Sequence, residues 1–298
     1  MVHVGQDTRK GTTMGQVSKK LRNHFGKLAS RVKQQMAKEV APLRLPKGVK
    51  DGPTLVKKGH DPVHSVYIHV QNITSVFAEN VSVLPELSAY YKIVEKAEDE
   101  YMPAGPPMSP LTRSYFTTWA FFDVRFGPDK ETMGTCLLDL SDLLDMDPRI
   151  VEATREFQQS RMGVYEHLGS AGGRCRLNEL ITDREIVCYC TSGYAGRPGE
   201  LWYVRACPPL WGLADYWVTV TTPYILTGMT KADWVAYLNR AMLQVKAKDN
   251  DKKLHRLLKH GLSANHWNEF VFQAYHHHQH DAIFLAGIPD VKGSLPHA

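Results

Sequence analysis

The chain has 298 residues, of which 43% are hydrophobic and 22% charged, an ordinary globular balance that excludes general disorder. No run approaches the roughly 18 apolar residues needed to span a bilayer as a helix, which excludes a helical membrane protein. The net charge of +5 is unevenly spread: residues 1–60 carry 14 Lys and Arg against 3 Asp and Glu, a balance of +11, and the rest carry 22 against 28, a balance of −6.

A basic segment ahead of a mildly acidic body is the charge pattern of an arm that meets a polyanion, or of one that lies across its own body. Residues 1–16 are polar and Gly-rich and are expected to be mobile. The start, Met1-Val2-His3-Val4-Gly5, lacks the apolar core of a secretory signal, so the expected location is cytoplasmic. Val17, Leu21, Phe25, Leu28, Val32, Met36 and Val40 then recur at spacings of three and four, which predicts an amphipathic helix over residues 17–40. Lys19, Lys20, Arg22, Lys27, Arg31 and Lys33 occupy its polar surface. Residues 41–62 hold four prolines, three glycines and five Lys or Arg, the composition of an extended linker.

The globular part is expected over residues 63–298 as one α+β domain. Alternation over residues 64–70 reads as a strand. Pro85 opens a helix running to Tyr101, with Leu87, Tyr90, Tyr91, Val94 and Ala97 at helical spacing. Residues 112–126 are dense in aromatic and β-branched side chains and read as a long strand. Helices follow at 132–144 and 148–159, the second announced by Asp147-Pro148. Runs at 163–168, 174–180, 185–190, 201–207 and 216–222, separated by Gly, Pro or Asp, predict a β-rich centre over 162–226, either a small antiparallel barrel or a curled sheet. The C-terminal part returns to helices: Thr230 and Asp233 form a capping-box pattern, Gly261 stops a helix over 251–260, and Ser263 is placed to cap a third. A short apolar strand is expected at 282–286. No repeat of 20–50 residues is present.

The clearest binding feature is the basic arm, whose cations would contact phosphates in a salt-dependent way, or dock on an acidic protein partner or an anionic membrane. Trp202, Tyr203 and Arg205 on a barrel strand offer stacking and charge for the same ligand. His276 and His280 share a face if a helix continues through them, and with Asp281 would suit a divalent metal. The same run at a helix end serves equally as a polar C-terminal cap. Asp123 and Glu131 flank a turn and admit a metal-dependent phosphodiester hydrolase, or a simple Asp123–Arg125 ion pair.

Cys136, Cys175, Cys188, Cys190 and Cys207 are odd in number and lack knuckle spacing, so reduced, buried thiols are expected rather than disulfides or zinc. The loop 193–199 reads as a long hairpin connection. Phosphate-loop, dinucleotide-binding and hydrolase-elbow motifs are all lacking from the sequence. These readings converge on a non-catalytic binding or accessory protein, with a metal-dependent hydrolase and a structural interaction module as alternatives.

Overall fold

The computed structural model describes residues 14–26, 29–40, 61–105, 108–210 and 212–298. The expectations for residues 1–13 and for most of the linker lie outside them, as does Lys27. Among the described residues the fold is α+β, with ten α-helices around one eight-stranded sheet. The strands are β1 (Met162–Ala171), β2 (Arg174–Glu179), β3 (Glu185–Cys190), β4 (Leu201–Cys207), β5 (Trp217–Thr219), β6 (Tyr224–Thr227), β7 (Tyr275–His278) and β8 (Ile283–Ala286). Their order is β1-β2-β3-β5-β4-β6-β8-β7, and β1 also pairs with β4, closing a five-stranded barrel.

The β-rich centre is therefore a closed barrel, with one departure from an antiparallel pattern. Strand β3 pairs with β5 in parallel, Cys188 opposite Trp217. An odd number of strands cannot alternate direction all the way round a ring, so one parallel neighbour is a topological requirement. On β2 and β3 the outward Arg174, Arg176, Glu185 and Val187 are exposed while Cys175, Leu177, Ile186 and Cys188 point into the barrel. Strand β4 is buried on both faces: Trp202, Val204 and Ala206 fill the barrel, whereas Tyr203 and Cys207 pack in the larger core against the helices.

Two elements expected as strands are helices. Residues 64–70 lie in α3 (Pro62–Val81), where Asp61 caps the His64 amide at 2.8 Å and Pro62 occupies the first turn. Residues 112–126 contain α5 (Arg113–Phe122), capped by Thr112. Tyr115, Phe116, Trp119, Ala120, Phe121 and Phe122 are all buried, so α5 is apolar nearly all round and tertiary burial overrides its β-favouring composition. The helix expected from Pro85 begins as a 3₁₀ turn and continues as α4 (Ser88–Tyr101). The helix expected over 132–144 ends early, as α6 (Met133–Asp139), while α7 (Pro148–Gln159) matches its cap signal. The C-terminal helices are α8 (Lys231–Leu243) with its capping box, α9 (Asn250–His260) stopped by Gly261 at φ +66, and α10 (His266–Ala274). Asn265, not Ser263, stands at the start of α10.

The amphipathic segment forms two helices, α1 (Gln16–Phe25) and α2 (Ala29–Val40). Val17, Leu21, Phe25 and Val32 are buried in the main core, with Phe25 against Phe77 of α3. No side chain caps α1 from its own first turn. Instead Glu131 accepts from the Val17 and Ser18 amides at 2.9 Å each and from Ser18 Oγ at 2.6 Å, while Asp129 accepts from the Gln16 amide at 2.9 Å. Acceptors supplied by a turn more than a hundred residues away thus satisfy the orphan amides of α1 and complement its dipole. Arg22, at the other end, forks onto Asp142 at 2.5 and 2.9 Å.

Glu131→Gln keeps the side-chain size but removes the charge and one acceptor. It should cost about 1–2 kcal/mol at this helix end, lowering amide-exchange protection over residues 16–25 roughly tenfold, with little change in the barrel. Hydrogen exchange read by mass spectrometry gives the comparison.

Candidate functional site

Asp123 sits at the C-cap of α5, 5% exposed, and its carboxylate meets cations from two other parts of the chain. Arg205 of β4, 1% exposed, contacts one oxygen, and Lys259 of α9, 4% exposed, donates to the other at 2.9 Å. Lys259 also donates to the Ser160 carbonyl at 2.7 Å, and His260 Nδ1 donates to the Asp123 carbonyl at 2.8 Å. Two buried cations thus share one buried carboxylate. Burial, with Arg205 beside it, pushes the Lys259 amine down to about 8 despite the opposing pull of Asp123. Tyr115, Trp119, Tyr203 and Trp267 close round the cluster and leave a void of about 10 Å³, enough for at most one water. The Asp123 cluster is therefore a structural pin with no room for a ligand.

The open space lies along the same face of α9, beside its N-terminal turns. A cleft of about 710 Å³ runs between that helix and the β2–β3 hairpin, lined by Arg161, Glu179, Ile181, Thr182, Arg184, Asp251, Lys252, His255 and Arg256. A neighbouring depression of about 210 Å³ shares Arg161, Arg184 and His255. Glu179 is buried and organises the wall. It meets Arg161 at 2.8 Å and Arg184 at 3.7 Å, and accepts from Thr182 Oγ1 at 2.7 Å. Arg184 keeps half its side-chain surface in solvent, and its guanidinium lies 5.0 Å over the Trp217 ring. Arg256 donates to the Lys246 carbonyl at 2.5 Å and Lys252 to Asp249 at 2.8 Å. Four cationic side chains thus face two carboxylates, Glu179 and Asp251.

The hairpin that carries this wall is backbone-strained. Ile181 and Asp183 have φ of +77° and +56°, a conformation that is an outlier for a β-branched residue and clusters at functional sites. On the helix side, burial drives His255 down to about 4, with Arg161, Lys259 and His260 adding to the effect. His260 is likewise pushed to about 4 by burial, against the pull of Asp123, and His266 falls to about 4 for the same first reason.

The structure separates the residues that the sequence grouped. Lys19, Lys20, Arg31 and Lys33 are exposed and make no ion pair among the described residues, whereas Arg22 is engaged by Asp142. Trp202 and Tyr203 have no exposed surface and Arg205 is held by Asp123, so none of the three can stack on or grip a ligand in this fold. The histidine run does not continue a helix. It lies on the edge strand β7 and just past it, where His276, His277, His278 and His280 are exposed, and His277 stacks on Phe284 at 4.3 Å. The spacing of i and i+4 therefore no longer brings His276 and His280 to one metal, and Asp281 lies beyond the strand. No group of three or more metal-ligating side chains occurs among the described residues. Asp123 pairs with Arg205 and Lys259, not with Arg125, and Glu131 is occupied by α1, so the two carboxylates of the hydrolase reading serve separate places. All five cysteines are free and buried, and no helix among the described residues is long and apolar enough to cross a membrane.

The cleft residues share one signal in the sequence. Lys252, His255 and Arg256 fall at spacings of three and one, the signature of a single helical face, which Lys259 extends by one turn towards Asp123. No family model matches the chain, and no curated protein or solved structure matches it either.

Asp123→Asn would leave two buried cations uncompensated and should lower the unfolding free energy by roughly 3–5 kcal/mol in urea titrations. A separate expectation concerns pH. His255, His260 and His266 ordinarily titrate near 6.5 but near 4 when folded. Between these values the unfolded chain binds more protons, so stability rises with pH through that window and is lost as pH falls through it. The urea midpoint should drop from pH 6.5 towards 4, and His266→Asn should flatten part of that slope.

Proposed function

We propose that this chain is a binding protein for a small, multiply charged anion seated in the cleft between α9 and the β2–β3 hairpin. The observation that carries this reading is the convergence of Arg161, Arg184, Lys252 and Arg256 on one open space, with Glu179 at its wall engaged by Arg161, Arg184 and Thr182. Guanidinium forks suit phosphate and carboxylate groups, and charge-assisted hydrogen bonds are stronger than neutral ones. A neutral His255 at the cleft floor adds a donor or acceptor without the cost of a further buried charge. The strained hairpin is consistent with a rigid, pre-organised wall.

The basic arm supports a second reading, in which Lys19, Lys20, Arg31 and Lys33 contact nucleic acid or an acidic protein. Their support is exposure together with the lack of ion-pair partners among the described residues. Both surfaces are cationic, so the same protein is testable for both.

Isothermal titration with pyrophosphate, ATP, citrate and a single-stranded oligonucleotide, at two salt concentrations, separates these readings. Small anions should bind, and Arg184→Ala or Arg256→Ala should weaken them roughly 10–100-fold, the loss of one charge-assisted contact. Both side chains are solvent-facing, so the variants should melt as the parent does. Binding of the oligonucleotide alone, lost on replacing the four arm cations, would transfer the function to the arm. No heat with any anion would reject the cleft.

A further inference from the structure

We infer that Cys175 and Cys188 form a redox-active dithiol inside the barrel, a pair that a peroxide converts to a disulfide across strands β2 and β3. The inference rests on register and does not depend on the anion-binding reading. Cys175 lies directly opposite Cys188 in the antiparallel β2–β3 ladder, and both side chains point into the barrel. The Glu179 amide donates to the Arg184 carbonyl at 2.9 Å, so the hairpin closes on a hydrogen-bonded pair, and such pairs recur at every second residue. Cys175 and Cys188 are four positions further along each strand and so form another. Their Cα atoms are then about 5.5 Å apart, inside the roughly 4.4–6.8 Å range that disulfides bridge.

The two thiols also differ in the way an oxidation needs. Cys175 Sγ donates to the Cys188 carbonyl at 3.4 Å and Cys188 Sγ to the Tyr189 carbonyl at 3.7 Å, and the neighbouring Cys188 side chain moves the Cys175 thiol below its ordinary value. Cys188 is held well above its ordinary value, first by burial and then by Cys175 itself. The thiolate is the nucleophile, so Cys175 attacks first. It also stands next to exposed residues, just past the Gly172–Gly173 turn at the barrel mouth, and is 3% exposed where Cys188 is sealed. Cys190, two residues along β3, is instead engaged by Ser192 at 3.4 Å.

The chemistry balances without a cofactor. The Cys175 thiolate attacks one peroxide oxygen, the O–O bond breaks, and hydroxide leaves to collect the proton that Cys175 gave up, leaving a sulfenic acid. The Cys188 sulfur then attacks that sulfenic sulfur. An S–S bond forms, the S–O bond breaks, and the departing hydroxyl takes the Cys188 proton as water. Two thiols have lost two electrons in total, and one hydrogen peroxide has become two waters.

The test uses the full chain, reduced and then treated with hydrogen peroxide under native conditions. Remaining thiols are alkylated in denaturant, and the protein is digested and mapped by mass spectrometry. The expected product joins the peptide containing Cys175 to the one beginning at Glu185, lighter by two hydrogens than the reduced pair. Fragmentation at Tyr189 should assign the bridge to Cys188 rather than Cys190. Cys136 and Cys207 should remain alkylated, and dithiothreitol should restore both peptides. The Cys190→Ser variant should give the same bridge. Recovery of Cys175 and Cys188 as alkylated thiols or as sulfinic acids, or a bridge through Cys190, overturns the proposal.

Discussion

The Asp123 carboxylate joins parts of the chain that are 82 and 136 residues away from it. It fixes the end of α5, the middle of β4 and the last turn of α9 to one point in a low-dielectric interior. Breaking such a cluster strands its cations, so the geometry is stiff even though the pair interactions are expensive to bury. The fork of Arg205 and the amine of Lys259 also hold the Ser160 carbonyl, where α7 hands over to β1. With the last turn of α9 clamped through Lys259, Lys252, His255 and Arg256 are held on the same face one and two turns earlier. The open cleft is thus set by the closed cluster beside it.

Much of the architecture could be read from local chemistry. Asp147-Pro148 gave α7 its start, Thr230 with Asp233 gave α8, and Gly261 marked the end of α9, because caps act within one turn of the chain. The barrel was legible from evenly spaced short strands. The same Asp-Pro signal at Asp61-Pro62 is masked in the sequence by the proline-rich stretch that it ends. Helix α5 was hidden for a different reason. Its aromatic side chains favour strands in isolation, and only their burial on every side shows why a helix serves there.

The cleft residues are less legible in the sequence than the fold. Strand β4 has no solvent face, so alternation could not reveal that Trp202 fills the barrel while Tyr203 and Arg205 meet the helices. Arg161, Arg184 and Arg256 come together only because the hairpin and α9 pack against each other, and nothing in their sequence neighbourhoods refers to that meeting. The shared face of His276 and His280 requires a helix through both, whereas the helix ends at Ala274 and the backbone turns into the edge of the sheet. The arm was legible as amphipathic, but the identity of its partner was not, since Glu131 and Asp129 lie in a turn with no local mark.

The long reach between α1 and Glu131 has a consequence for how the chain is made. The first helix leaves the ribosome before its cap exists, and 113 residues must still be added. At about 5–20 residues per second that interval lasts on the order of 6–20 s. Throughout it the nascent arm is a cationic, apolar-striped segment with open amides and no body to lie on, beside a polymer made largely of phosphate.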